Sequence, residues 1–110
     1  IKDLSECSNV VVKLGGIGMP RTGFDWHRRE KPIGSEELAA QMAPLLSYCI
    51  EQFGPERGMF ESNFPVDKVS YSYNVLYNAF KIFSKDYSET ERALMFRDNA
   101  LKIYNVDENL

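Results

Sequence analysis

Hydrophobic positions along the chain predict two short buried strands separated by a long helix. Residues 10–14 (VVVKL) form a β-branched run closed by two glycines, which is typical of a strand buried on both faces. Residues 58–64 (GMFESNF) form the second strand, which stops before Pro65 because proline cannot donate a hydrogen bond to a central ladder. Between them, residues 16–34 are rich in glycine, proline and charge without periodicity, and this predicts a long loop.

Helical spacing of apolar residues predicts the helix that connects the two strands. Ser35 is the expected N-cap, and the apolar positions that follow define one packed face as far as Phe53, before the helix-ending pair Gly54-Pro55. Pro44 lies inside this pattern, so we expect a kink or a break near it.

Two further helices are predicted after the second strand. The apolar stripe of the first comprises Tyr73, Leu76, Tyr77, Phe80 and Phe83. The second begins with residues 88–91 (SETE), a capping box in which a serine and a glutamate satisfy each other's amide groups. Its expected inner face comprises Ala93, Phe96, Ala100 and Ile103.

The order of the elements predicts an α/β fold. Two buried strands joined through a helix form a right-handed crossover unit with parallel strands. Two strands alone leave unpaired backbone on each free edge, so further strands must come from elsewhere. We therefore expect these residues to be a fragment of a longer protein or an oligomer that pairs its strand edges.

Composition and charge narrow the class of protein. The 110 residues are 44% apolar with a formal net charge of −3, which favours one globular domain and gives no electrostatic footprint for nucleic acid or an anionic membrane. No apolar run approaches the roughly 20 residues that span a bilayer. Cys7 and Cys49 lack metal-site spacing and are interpreted as reduced thiols, so we expect a cytoplasmic location.

Candidate chemistry is expected where the parallel strands end, because ligands bind at that edge of α/β sheets. Side chains alternate along a strand, so Glu61 and Asn63 share one face of the second strand. Glu61 is a candidate general base or metal ligand, and Asn63 would position substrate or water by hydrogen bonds. The alternative is that Glu61 only pairs with a buried cation such as Lys13.

The long loop carries the second set of candidate residues. His27 is the only histidine, and Arg21 and Arg28 lie near it in the loop, a combination that can bind a small anionic substrate through bidentate guanidinium contacts. The alternative is a solvated loop whose charges bind nothing specific. One histidine cannot form a histidine-rich metal centre, so any metal needs ligands from outside these residues.

The stretches NVVVKLGG, FGPERGMFESNFPVDK and NALKIYNV resemble the C-terminal part of the amidohydrolase-related TIM-barrel hydrolases, amidohydrolase family 2. Members are described as predicted metal-dependent hydrolases and include lactonases that open pyrone dicarboxylates and sugar lactones. The resemblance covers nearly the whole chain. It implies that residues 1–110 are the C-terminal portion of one (β/α)8 barrel domain, with residues 10–14 as strand seven and residues 59–63 as strand eight.

The resemblance also implies a role for the end of the eighth strand. Family members commonly have Ser-Asp-Trp-Pro there, with the aspartate as metal ligand or general base, and in this chain Asn63 occupies the matching position. We hypothesise that the acid has moved to Glu61, which would then serve as base or metal ligand. A divalent metal, zinc or manganese, is the implied cofactor, although the family's His-x-His motif is not in these residues.

Two functions are therefore expected from different classes. The first is a hydrolase fragment that acts on a cyclic ester (lactone) or amide through metal-activated or carboxylate-activated water. Without the other strands of the barrel, such a fragment should not turn over substrate alone. The alternative is a non-catalytic truncated module that acts by self-association or by pairing with another chain.

Overall fold

The structure, a computed structural model, describes residues 1–107. Its two strands are β1 (Val12–Leu14) and β2 (Gly58–Phe60), and its helices are α1 (Lys2–Ser5), α2 (Ser35–Phe53), α3 (Tyr73–Phe83), α4 (Glu89–Ala93) and α5 (Asn99–Ile103). The chain forms two compact units. The first comprises Ile1–Leu14, Leu45–Phe60 and residues 86–107, and the second comprises Gly15–Pro44 and Glu61–Lys85.

The first unit contains the predicted parallel strand pair. Val12 lies opposite Gly58 and Leu14 opposite Phe60 in the ladder. Both strands are shorter than predicted, because β1 omits residues 10 and 11 and β2 omits residues 61–64. The carbonyl of Val10 accepts a hydrogen bond from the Arg57 guanidinium, 3.1 Å away, and therefore has a side-chain partner before the ladder begins.

The C-terminal helical segment uses only part of the inner face that its sequence predicts. The predicted capping box of Ser88 and Glu91 is present. Between α4 and α5, however, Leu94–Asp98 form a π-helical turn, whose wider winding rotates the side chains that follow. Met95 and Asn99 are buried, Phe96 and Ala100 of the predicted face are half-buried, and Ala93 and Ile103 are exposed.

Helix α2 has the predicted bounds and continues through Pro44, so the chain does not break there, and a kink at Pro44 stays a prediction. Pro44 is exposed, and its ring therefore lies away from the buried face. Ser35 is the first residue of the helix rather than a residue before it, and its hydroxyl donates to the carbonyl of Val75 at 3.1 Å. The buried face of the helix carries Leu38, Ala39, Met42, Leu46, Cys49, Ile50 and Phe53.

The second unit is built from the loops that follow the two strands, together with the first half of α2 and with α3. The long loop contains two short 3-10 turns, Pro20–Thr22 and Trp26–Arg28, where the sequence predicts no regular structure. A third turn, Val66–Val69, leads to α3, which Ser72 caps. Of the predicted stripe of α3, the structure buries Leu76 and Phe80 but leaves Tyr73 half exposed.

Candidate functional site

Glu61 and Asn63 both lie against Gly16, the glycine that follows the first strand. A Cβ atom placed on Gly16 would be 3.2 Å from Oε1 of Glu61 and 3.8 Å from Cγ of Asn63. Gly16 also has a φ of +73°, a left-handed conformation that glycine adopts most readily. The absence of a side chain at this position leaves room for both Glu61 and Asn63 beside Gly16.

The positions of Glu61 and Asn63 beside Gly16 do not result from the alternation of side chains along a strand. Glu61 and Asn63 lie beyond β2, and Asn63 has a φ of +54°. Such a left-handed residue cannot continue an extended strand. The prediction that strand alternation places Glu61 and Asn63 on one face is therefore wrong, although both residues lie beside Gly16.

The side-chain nitrogen of Asn63 donates to Oδ1 of Asp67 at 2.7 Å. Asp67 is fully buried, and its other oxygen, Oδ2, accepts from the amide of Gly18 at 3.0 Å and from the hydroxyl of Tyr71 at 2.8 Å. The hydroxyl of Ser70 donates to the carbonyl of Gly18 at 2.5 Å. These five residues, Gly18, Asn63, Asp67, Ser70 and Tyr71, are called the Asp67 cluster below.

Tyr71 completes the cluster as a hydrogen-bond donor. Burial raises the pKa of its hydroxyl far above the ordinary value, and the hydrogen bond to Asp67 raises this pKa further. Its ring lies 5.8 Å from that of Trp26 and 6.5 Å from that of Phe64, measured between centroids. Tyr71 therefore stays protonated at any physiological pH and continues to donate to the carboxylate.

Glu61 also has an electrostatic neighbour on α3. Burial and a hydrogen bond with Tyr73 raise the pKa of Tyr77 to about 12, and the negative charge of Glu61 adds to this increase. The alternative that Glu61 pairs with Lys13 stays a prediction.

The loop residues predicted to bind substrate are not all in one place. His27 lines a cavity of about 420 Å³, together with Trp26, Arg29, Ile33, Lys68 and Tyr71, and neither Glu61 nor Asn63 is among its lining residues. Arg21 and Arg28 are exposed and do not line this cavity. Arg29 lines it instead, and its guanidinium forms a bidentate ion pair with Glu37.

The donor set does not fit a complete metal site. Within residues 1–107, no three histidine, cysteine, aspartate or glutamate side chains are placed so that they could hold an ion. Asp67 already accepts three hydrogen bonds, so its lone pairs are largely occupied. Asn63 retains only its amide oxygen as a potential ligand, since its nitrogen donates to Asp67.

Sequence reasoning singled out neither Asp67 nor Tyr71. Both lie just after the predicted strand end, in the segment NFPVDKVSY, and their spacing of four residues is a weak signal for a side-chain pair. The contact with Gly18 spans 49 residues of sequence and leaves no local pattern. Only the segment that contains Asp67, not the residue itself, was therefore recognisable as a place for chemistry.

Comparison with known proteins identifies the class of protein to which this fold and this strand-end site belong. A model of the amidohydrolase family matches residues 1–106, so the chain belongs to the amidohydrolase family. The family prediction made from the three sequence stretches is confirmed.

The relatives are longer than this chain. The uncharacterized protein y4mH of Sinorhizobium fredii is 37% identical over 106 residues, which cover 96% of this chain and 31% of that protein. Two crystal structures of an amidohydrolase from Burkholderia multivorans, one with bound HEPES and one with bound zinc, match with a TM-score of 0.80 and 25% identity. Each match covers 96% of this chain and 35% of theirs, so this chain spans about a third of the length of its relatives.

The predicted fold class is confirmed by the structural match. The chain is an α/β chain that corresponds to the C-terminal portion of a (β/α)8 barrel, with two parallel strands and flanking helices. Among residues 1–107, no helix combines the length and the apolar character needed to cross a bilayer.

Proposed function

We propose that this chain supplies the last two strand ends of the active site of a hydrolase that opens a cyclic ester or amide with activated water. The observation that carries the proposal is that the Glu61 carboxylate and the Asn63 side chain both lie beside Gly16, shortly after β2. In parallel barrels, catalytic groups lie at the carboxyl ends of strands. Membership of the amidohydrolase family supports a hydrolytic parent reaction.

Glu61 is the proposed general base. Its carboxylate takes a proton from water while the water oxygen attacks the substrate carbonyl, which forms a tetrahedral intermediate. The carbon–oxygen or carbon–nitrogen bond of the ring then breaks, and the same carboxyl group returns the proton to the leaving oxygen or nitrogen. The amide of Asn63 cannot act as an acid or a base at neutral pH, so Asn63 orients water or substrate by hydrogen bonds.

The remaining parts of the proposal concern the complete protein. In this proposal, β1 and β2 are strands seven and eight of the barrel. A divalent ion such as zinc would need ligands from outside residues 1–107. A cytoplasmic location is part of the same proposal. An anionic substrate group would be oriented by His27 and by Arg21 or Arg28. The cations Arg29 and Lys68, which line the cavity beside His27, support the part of this proposal that concerns His27.

The experiment uses the complete protein that contains this chain and a panel of lactones and cyclic amides. Glu61→Gln should lower kcat by about 10²–10⁴-fold, the usual contribution of a general base, and Asn63→Ala should lower it less. Glu30→Gln is the matched control, because Glu30 is exposed in the long loop. Full activity of Glu61→Gln, combined with loss of activity in Asn63→Ala, would show that Glu61 is not the base.

The same preparation tests the alternative of a non-catalytic module. Native mass spectrometry of the purified protein reports its assembly and any bound metal. If the protein forms a metal-free oligomer and turns over no member of the panel, assembly through strand edges becomes the better explanation.

A further inference from the structure

The carboxylate of Asp67 has no access to solvent, and all its described partners are hydrogen-bond donors. We infer that Asp67 is a positioning residue that fixes the Asn63 amide so that its oxygen, and not its nitrogen, faces a ligand. The effect of this orientation on catalysis rests on the proposed function. The orientation of the amide can be tested without any activity.

The partners of Asp67 determine which way the Asn63 amide points. Oδ2 of Asp67 accepts from the backbone N–H of Gly18 and from the hydroxyl of Tyr71, at 3.0 and 2.8 Å. A backbone amide can only donate, and Tyr71 keeps its proton because burial raises its pKa. A buried carboxylate with these partners is an acceptor at both oxygens, so the group of Asn63 that faces Oδ1 must be the NH2 group.

The backbone reinforces this arrangement. The amide nitrogen of Asp67 donates to the carbonyl of Asn63 at 3.1 Å, so Asn63 and Asp67 are joined by one main-chain and one side-chain hydrogen bond. Asn63 is held at a φ of +54°, a conformation that asparagine tolerates better than most residues. Both the turn and the side-chain rotamer of Asn63 are therefore fixed before a ligand binds.

The consequence is a neutral acceptor at the end of the second strand. Within residues 1–107, the amide oxygen of Asn63 has no hydrogen-bond partner, and Asn63 is only half buried. This oxygen accepts a hydrogen bond but cannot take up a proton at neutral pH. Position 63 therefore selects an O–H or N–H donor, which is either a hydroxyl or amide group of the substrate or the attacking water.

Exchanging the two side chains tests the inference. In Asp67→Asn, the donors of Gly18 and Tyr71 hold the new amide oxygen, so the new NH2 group faces Asn63 and forces the Asn63 amide to turn over. In Asn63→Asp, two carboxylates face each other at the 2.7 Å contact and repel. The double exchange Asn63→Asp/Asp67→Asn restores a donor and an acceptor, with an oxygen again outward at position 63.

The first measurement is hydrogen exchange of the Asn63 side-chain NH2 group by ¹⁵N NMR in the complete protein. We expect exchange to be at least about 10-fold slower in the native protein than in Asp67→Asn, because the hydrogen bond to a buried carboxylate protects it. Asp86→Asn is the matched control, since Asp86 is exposed. Equal exchange rates in native protein and Asp67→Asn would overturn the inference.

The second measurement is steady-state kinetics with a substrate from the panel. Asp67→Asn should lower kcat/KM about 10–100-fold, the cost of one misdirected hydrogen bond, and the double exchange should recover more than half of this loss on a logarithmic scale. An increase in KM identifies a donor on the substrate, and a decrease in kcat identifies the attacking water. If kcat/KM of the double variant Asn63→Asp/Asp67→Asn is no higher than that of the less active single variant, a positioning role is contradicted.

The two measurements separate the inference from the proposed function. A slow-exchanging Asn63 amide in a protein without turnover supports the orientation and argues against the hydrolase. If turnover depends on Glu61 but the hydrogens of the Asn63 NH2 group exchange rapidly, the proposed hydrolase function is supported and the inference about Asp67 is overturned. The double exchange adds a signature that a purely structural role does not predict, because a carboxylate at position 63 should give kcat/KM a new dependence on pH below about 5.

Discussion

The amide nitrogen of Gly18 lies 3.0 Å from Oδ2 of Asp67, and this contact fastens the loop after β1 to the segment after β2. Nothing larger than hydrogen fits on Gly18. A Cβ atom there would lie 2.5 Å from the Tyr71 hydroxyl and 2.9 Å from Cγ of Asp67. The glycine is therefore needed for close approach to a buried carboxylate and not for a special backbone conformation.

Gly18→Ala should destabilise the protein by about 1–3 kcal/mol, because the methyl group forces the buried Tyr71 and Asp67 side chains to move. Gly34→Ala is the control, since a Cβ atom on Gly34 has open space within 4 Å. The free energies of unfolding are compared by urea denaturation. Equal stability of the two variants would show that the Asp67 cluster is looser than the structure indicates.

Elements that depend on neighbouring residues in sequence could be predicted well. The bounds of α2 follow from helical spacing between a polar start and Gly54, and the capping box of Ser88 and Glu91 follows from a four-residue pattern. The parallel pairing of β1 and β2 follows from two apolar runs separated by a helix. In each case, the physical cause lies within the segment itself or in its immediate connection.

The Asp67 cluster could not be predicted, because its geometry depends on contacts between distant segments. Gly18 and Asp67 are 49 residues apart, and the second strand ends at Phe60, four residues before the predicted end and ahead of the turn at Asn63. The π-helical turn of Leu94–Asp98 likewise rotates a helix face that simple periodicity assigns to other residues. Glu61 and Asn63 could be recognised as neighbours, whereas the residue that orients Asn63 could not.

Pro44 offers a test of how the unbroken helix accommodates a proline. A proline in a helix interior lacks one hydrogen bond and costs up to about 3 kcal/mol, and Pro44 is exposed, so replacing it removes little packing. Pro44→Ala should therefore raise the free energy of unfolding by about 1–2 kcal/mol, after allowing for greater freedom of the unfolded chain. Ser47→Ala, one turn later in the same helix, is the control. A less stable Pro44→Ala variant would show that the proline ring itself supports the fold.

The tyrosines of α3 give a prediction at high pH. The pKa of Tyr77 is raised to about 12 by burial and by its hydrogen bond with Tyr73, above the value of about 10 expected in the unfolded chain. Below pH 10 both states keep the proton, so Tyr77 has no effect on the pH dependence of stability. Between pH 10 and 12 the unfolded chain loses the proton first, and the folded state loses stability as pH rises.

Tyr77→Phe should therefore reduce the loss of stability between pH 10 and 12, by about 1 kcal/mol or less because the hydroxyl group is partly solvated. The measurement is the urea midpoint at pH 8 and pH 11. Tyr104→Phe is the control, since Tyr104 is exposed. An identical alkaline loss in the native protein and Tyr77→Phe would mean that other groups, such as Tyr71, account for it.

Asn99 in the first unit is buried, and its side-chain nitrogen makes two hydrogen bonds. Its nitrogen donates to the carbonyls of Pro55 and Gly58 at 2.7 and 2.8 Å, and thereby ties the last helix to the start of β2. Asn99→Leu leaves both carbonyl oxygens without this donor and should cost about 2–4 kcal/mol. Unchanged stability of this variant in urea denaturation would show that water replaces the amide.

Asn99→Asp should cost more than Asn99→Leu at pH 7, because a carboxylate would then face two carbonyl oxygens in a buried position. Burial and these oxygens raise the pKa of the new carboxyl group in the folded state, and once protonated it can donate to one of the two carbonyls. Stability should therefore increase as the pH falls from 7 to 5, opposite to the usual effect of a carboxylate that accepts hydrogen bonds. Asn78→Asp, exposed on α3, should show no such increase, and equal pH dependence of the two variants would contradict the assigned hydrogen bonds of Asn99.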